Sequence, residues 1–324
     1  MTVSQTFRTQ WNEIWQQSRP LMATALVMLV AFVASLVGIF VDHRVITGAP
    51  AWLKPAKFAI STAIFAATMA WLMRQITIWP RFMRALGWLL AAILVLEVGI
   101  IDVQAARGTT SHFNISTPLD AALFSIMGTA IGALWLATIC VFAALCRQQF
   151  ADRAWGWALR LGLLTTILGS AVGGLMLRPK PEQLQVMQTR APSSVGGHTV
   201  GAPDGGPGLP GVGWSTEHGD LRVPHFFGLH GVQAIPLLAW VVRRKRRRLS
   251  QQHQTGLVFV AGSSYIAFVL ILIWQALRGQ SFVAPDQVTI AVLAGWAVAT
   301  GVAAGAYSSP GGMQSAHANP LIVA

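Results

Sequence analysis

Eight apolar stretches of membrane-spanning length recur along this chain, and they constrain its fold more than any other feature. They run from Leu21 to Phe40, Phe58 to Ile76, Met83 to Ala106, Leu119 to Leu145, Ala154 to Leu177, His225 to Val242, Thr255 to Leu277 and Val288 to Ala306. A hydrocarbon core about 30 Å thick needs about 20 such residues in helical conformation, and backbone polar groups in lipid must be satisfied within the helix. The expected fold is therefore all-α, a polytopic transmembrane bundle of eight spans. Only 10% of the 324 residues are charged and the mean hydropathy is +0.55, which excludes an ordinary soluble domain.

The net charge of +12 follows from topology rather than from a nucleic-acid surface. Six consecutive basic residues, Arg243 to Arg248, directly follow the sixth apolar run, and the positive-inside rule places them in the cytoplasm. Counting outward puts both termini on that side, with Arg8, Arg19, Arg74, Arg81, Arg84, Arg147 and Arg153. The expected organisation is a cytoplasmic segment 1–20, a four-helix unit 21–145, a second unit 146–306 and a cytoplasmic tail 307–324. Within the second unit, residues 178–223 form an outer connection. Between Ala191 and Gly213 it carries eight Gly and four Pro in 23 residues, a composition that predicts a flexible loop or lid.

An internal repeat is visible at helix ends. Gln104-Ala-Ala-Arg107-Gly108 closes the third run and Gln275-Ala-Leu-Arg278-Gly279 the seventh, 171 residues later. Pro118 with Asp120, and Pro285 with Asp286, open the following runs. Leu53-Lys54-Pro55 and Leu221-Arg222-Val223-Pro224 open the second and sixth. These landmarks predict a tandem duplication of a four-helix unit. An even number of spans per unit gives a pseudo-symmetry axis along the membrane normal.

Ionisable residues inside apolar runs mark functional candidates, because hydrocarbon penalises an unpaired charge. Glu97 lies roughly 10 Å below the outer end of the third helix and shares a stripe with Gln104. His230 lies inside the sixth run and shares a face with Gln233. His112, His225 and His230 are the candidate metal ligands, since neutral imidazole suits zinc, copper or haem iron. Glu97 is the candidate catalytic proton acceptor. Gln104, Arg107, Asn114, Gln233, Gln275 and Arg278 are the candidate substrate contacts. Thr117, Pro118 and Asp120 read as a helix cap, and Trp52, Lys54 and Lys57 as interfacial anchors. The Gly128/Gly132, Gly169/Gly173 and Gly301/Gly305 spacings read as close helix packing.

The segments Trp52-Leu-Lys-Pro55-Ala-Lys-Phe58, Arg107-Gly-Thr-Thr-Ser-His112-Phe-Asn114 and Asp220-Leu-Arg-Val-Pro-His-Phe-Phe-Gly-Leu-His230 resemble an uncharacterised family of bacterial polytopic membrane proteins. The resemblance implies a bacterial cytoplasmic membrane and carries no activity. Three functions stay open. The first is a membrane oxidoreductase or hydrolase with a transition metal or haem in an outward-facing histidine site. The second is a proton-coupled transporter of a small, anionic solute bound between the repeats. The third is a structural or sensor protein. Each has the lipid bilayer as partner, the first two add a small-molecule ligand at the outer face, and none needs nucleic acid.

Overall fold

The computed structural model describes residues 14–15, 18–246 and 249–308, and these form an all-helical protein with little sheet. Most of the 1–20 segment and of the 307–324 tail lies outside the described residues, as do Arg8, Arg247 and Arg248. The long helices are α1 (Arg19–Val41), α2 (Leu53–Met73), α3 (Pro80–Ala106), α4 (Pro118–Arg147) and α5 (Arg153–Met176). A short α6 (Pro181–Met187) precedes α7 (Arg222–Leu229), α8 (Gly231–Lys245), α9 (Gln251–Leu277) and α10 (Gln287–Ser308). Two-residue strands form antiparallel pairs, β1 (Val45–Ile46) with β2 (Ala49–Pro50) and β3 (Thr199–Val200) with β4 (Gly219–Asp220).

Seven helices are long and apolar enough to cross a membrane, and α7 with α8 counts as an eighth if the bent pair is one span. Chain integration into a membrane follows from these helices. Their starts are set by local chemistry. Thr117 accepts the Asp120 amide at 3.1 Å with Pro118 in the first turn, Asp152 accepts the Trp155 amide at 3.0 Å, and Ser250 accepts the His253 amide at 3.3 Å.

The two halves pack in the same pattern. Helix α1 lies mainly on α2, both contact α3, and α3 carries α4. Correspondingly α5 lies on α7 and α8, both contact α9, and α9 carries α10. The main helix contact between the halves is α4 against α5, sealed by a core that includes Leu72, Leu90, Val141, Leu145, Leu159 and Leu163.

Where a single sixth span was expected, the chain bends by 47° at His230. The bend is held by α5. Gly169 and Gly228 meet backbone to backbone, so that a Cβ on Gly228 would sit 2.4 Å from Gly169 Cα. The groups freed at the break find partners, as they must at membrane depth. Thr166 Oγ1 donates to Leu229 O at 3.1 Å and accepts the Val232 amide at 3.2 Å, while Tyr265 Oη donates to Phe227 O at 2.9 Å. Gly173 also fits the close-packing expectation, against the His225 ring. Gly128, Gly132 and Gly301 do not: a Cβ there would meet nothing within 4 Å among the described residues.

Candidate functional site

The end of the bundle that carries the 178–223 connection is organised by carboxylates. That connection, where composition predicts flexibility, packs on the bundle as a cap through bonds such as Ser281 Oγ to Ser215 O and Val195 N to Phe113 O. Asp204 accepts from the His198 and Thr199 amides and pairs with Lys180 at 2.8 Å. Asp220, whose side chain is fully buried, accepts from the Ser215 and Arg222 amides at 2.9 Å and pairs with the Arg222 guanidinium at 2.7 Å. These charged acceptors replace the apolar core that the sequence lacks. Burial pushes both carboxyls up, but their hydrogen bonds and neighbouring charges outweigh it and hold each below the usual range. His198 lies 3.5 Å from Asp204 and 3.8 Å from Asp220. Burial first, then the charge of Arg222, lowers its imidazole to about 4 despite these carboxylates, so it is neutral at pH 7.

The 108–117 loop stitches to this cap. Ile115 N donates to Ser193 O and Val195 N to Phe113 O, both at 3.0 Å. Asn114 is buried inside the loop, donating to Thr109 Oγ1 and Thr110 O and accepting from the Ser116 amide. Its polar groups are consumed by folding the loop.

Gln104, Arg107, Gln275 and Arg278, the expected anion contacts, instead lock two helix ends in matching ways. Gln104 Nε2 donates to Thr110 O, six residues on, and Gln275 Nε2 donates to Ser281 O, also six residues on. The Thr109 amide bonds to Gln104 O and the Gln280 amide to Gln275 O. Gly108 at φ +75° and Gly279 at φ +74° make the left-handed turns that let the chain leave each helix. Arg107 pairs with Asp120 at 2.7 Å and hydrogen-bonds Gln104, while Arg278 pairs with Asp286 at 2.6 Å.

The three candidate metal ligands do not form one set. No group of three or more His, Cys, Asp or Glu able to hold a metal occurs among the described residues. His230 packs edge to face against Phe226, with ring centroids 4.4 Å apart, and has Gln233 beside it. Gln233 Nε2 reaches across to Thr68 Oγ1 on α2 at 3.1 Å, linking the halves, while its Oε1 is buried without a partner. His225 turns the other way and donates from Nδ1 to Gly169 O at 2.7 Å, which leaves Nε2 as its acceptor.

His112 belongs with a residue read from sequence as a mere anchor. Lys54 Nζ donates to His112 Nδ1 at 3.2 Å, and Ser111 Oγ lies 3.0 Å from the same nitrogen. An ammonium can only donate, so Nδ1 carries the lone pair and Nε2 the hydrogen. Burial, with the charge of Lys54 beside it, holds the His112 pKa well below its usual range, so the ring is neutral. His225 is a further electrostatic neighbour of His112.

Lys57 Nζ, one turn from Lys54 on α2, donates to Gly211 O and Val212 O of the cap at 3.4 Å. Lys54 has Lys57 and Arg222 as cationic neighbours. Neither lysine has a carboxylate within 4 Å among the described residues, whereas Arg44, Arg107, Lys180, Arg222 and Arg278 each pair with an aspartate. Arg178 and Arg190 are exposed. The candidate site is thus two ammoniums without a carboxylate partner among the described residues, and a neutral imidazole, at the junction of α2, α7, the 108–117 loop and the cap.

Glu97 is buried on α3, and its Oε1 has no hydrogen-bond partner among the described residues. Asp102 Oδ1 is likewise buried without one among them. Comparison with known proteins finds no matching protein family, no similar curated protein and no similar solved structure.

Proposed function

We propose that this chain is an eight-span bacterial inner-membrane protein, built from two four-helix repeats with both termini in the cytoplasm, that binds and transports a small anion. The shared packing order of the halves and the matching helix-end locks support the duplication. The observation that carries the function is the pair of the half-buried Lys54 and the exposed Lys57, neither with a carboxylate within 4 Å among the described residues, where Arg107, Lys180 and Arg222 nearby each have one. Two ammoniums beneath a cap attract an anion, and the neutral His112 adds an Nε2–H donor.

The site lies where the halves face each other, and the sixth span breaks nearby, placing the positive N-terminal end of α8 at membrane depth. Broken helices of this kind bind anionic solutes in transporters whose repeats rock about a central site. Glu97, a buried carboxyl with a free oxygen, is the proposed proton carrier. Gln104, Arg107, Gln275, Arg278 and Asn114 act as scaffold in this reading, and Gln233 as a link between the halves. A metal or haem centre draws no comparable support, because the Lys54 ammonium lies 3.2 Å from the nearest candidate ligand, His112, and opposes a second cation there.

The test is uptake into proteoliposomes of inorganic phosphate, sulfate and short mono- and dicarboxylates, driven by an inward proton gradient. At least one should accumulate, with Lys54→Gln abolishing binding and Glu97→Gln sparing binding but not proton-driven uptake. Absence of any anion response, with stoichiometric metal that disappears in His112→Ala, would overturn the reading in favour of a metal centre.

A further inference from the structure

The opposite end of the bundle holds another cation without a carboxylate partner among the described residues, in a different setting. Between α4 and α5 lies a crevice of about 320 Å³ lined by Phe142, Cys146, Trp157, Arg160, Leu161 and Leu164. It opens at the arginine-rich end, where Arg147 and Arg153 flank the α4–α5 turn. Five of its six lining side chains are aromatic, aliphatic or thiol, so water is a poor occupant.

Arg160 is the exception and sits seven residues into α5. Its Nε donates to Leu145 O at 3.2 Å and its Nη2 to Gln148 O at 2.7 Å, which close the last turn of α4. Phe150 and Trp157 lie within cation–π range, at 5.5 Å and 5.7 Å. Its Nη1 has no hydrogen-bond acceptor, and no carboxylate lies within 4 Å of it, among the described residues. The nearby aspartate, Asp152, is spent on Arg243 at 3.0 Å. Arg147, which closes α4 next to Cys146, lies over the Trp79 ring at 5.3 Å, so Arg160 is the guanidinium that lines the crevice. An exposed Cys146 and a half-buried Phe142 leave the approach from the α4 side open.

A cation at membrane depth with spare donors and apolar walls matches one kind of ligand. We infer that the α4–α5 crevice is a binding site for an anionic glycerophospholipid, its phosphate on Arg160 and one acyl chain along Trp157, Leu161 and Leu164. Charge complementarity supplies the headgroup preference, and the apolar walls supply the chain. A free phosphate satisfies only the first, and a zwitterionic lipid presents its phosphate with a compensating cation. Because α4 against α5 is the main contact between the halves, the lipid fills the seam along which the two units meet.

The experiment uses the full-length protein purified in a mild detergent, with native mass spectrometry and thermal unfolding read against phosphatidylglycerol, phosphatidylcholine and inorganic phosphate. One phosphatidylglycerol should be retained per chain, with at least ten-fold preference over phosphatidylcholine and no competition from millimolar phosphate. Arg160→Gln should remove the preference and Arg160→Lys should keep part of it. Since Arg160 also closes α4, Leu164→Trp provides an independent arm, filling the crevice while leaving the guanidinium in place. It should abolish retention in a monodisperse protein. Equal retention of both lipids, an unchanged preference in Arg160→Gln, or retention surviving Leu164→Trp would each overturn the site. Lys54→Gln should leave lipid retention unchanged.

Discussion

The openings of the second and sixth spans are built on one plan and differ in one charge. In the second half Arg222 follows Asp220 by two residues, and the carboxylate takes both its amide and its guanidinium. In the first half the same Asp-x-Arg unit exists, but earlier and at the surface, as Asp42 with Arg44 at 2.6 Å. The position matching Arg222 is Lys54, and the residue two before it is Trp52, whose Nε1 donates to Asp42 at 2.8 Å. One half thus neutralises the cation at this position and the other does not. The matching packing of the two halves makes such a difference legible, because a similar frame carries it while a single electrostatic partner is withdrawn.

Four experiments press on that contrast, from large effects to small. Removing the buried partner should do the most damage: Asp220→Ala leaves Arg222 and the Ser215 amide unsatisfied, and breaking such a pair costs about 3–5 kcal/mol. Thermal unfolding should drop steeply, whereas Asp42→Ala, at the exposed counterpart, should barely move it. Gly228→Val, which drives a side chain into the Gly169 backbone, should cost about 1–3 kcal/mol or more. On α1 the packing glycine, Gly38, meets the Trp52 side chain rather than backbone, and Ala63→Val on α2 should cost less in the same melt.

Cap stability should depend on pH in a stated direction. His198 has its pKa lowered to about 4 by burial and by Arg222, so between about 6.5 and 4 the unfolded chain binds more protons than the folded one. Stability contributed there is complete at neutral pH and falls as pH drops through that window, by about 2 kcal/mol at pH 5. Limited proteolysis of residues 178–221 should accelerate from pH 7 to pH 5, and His198→Asn should flatten the dependence. The Asp42 hairpin of the first half has no such histidine partner in an ion pair and should show no change in that range. Smallest in the melt but largest for function, Lys54→Gln should abolish anion binding with no change in melting.

Much of this architecture was readable in the sequence, for physical reasons. Helix starts at Thr117-Pro118 and Asp152 are local chemistry, and apolar length sets the spans. The repeated Gln-x-x-Arg-Gly ends were visible, although their role as locks requires Asp120 and Asp286 to be brought near in space. The break at His230 escaped because nothing local demands it. Gly228 and Gly231 permit it, but Thr166 and Tyr265, far away in sequence, hold it. Lys54 escaped because a lysine at a helix start has the same appearance whether or not an acid waits nearby. The cap escaped because composition counts apolar surface, while Asp204 and Asp220 organise it through charge-assisted hydrogen bonds.

The Gly169–Gly228 contact also sets what can move. With no side chain between the two backbones there is no cushion, and sliding one helix past the other would first have to lift them apart. Helices α5 and α7 therefore travel as a single lever. Any rocking of the second half must be taken up elsewhere, at the short 148–152 turn on one side and at the cap on the other, which turns the loops at the two ends of α5 into the bearings of the machine.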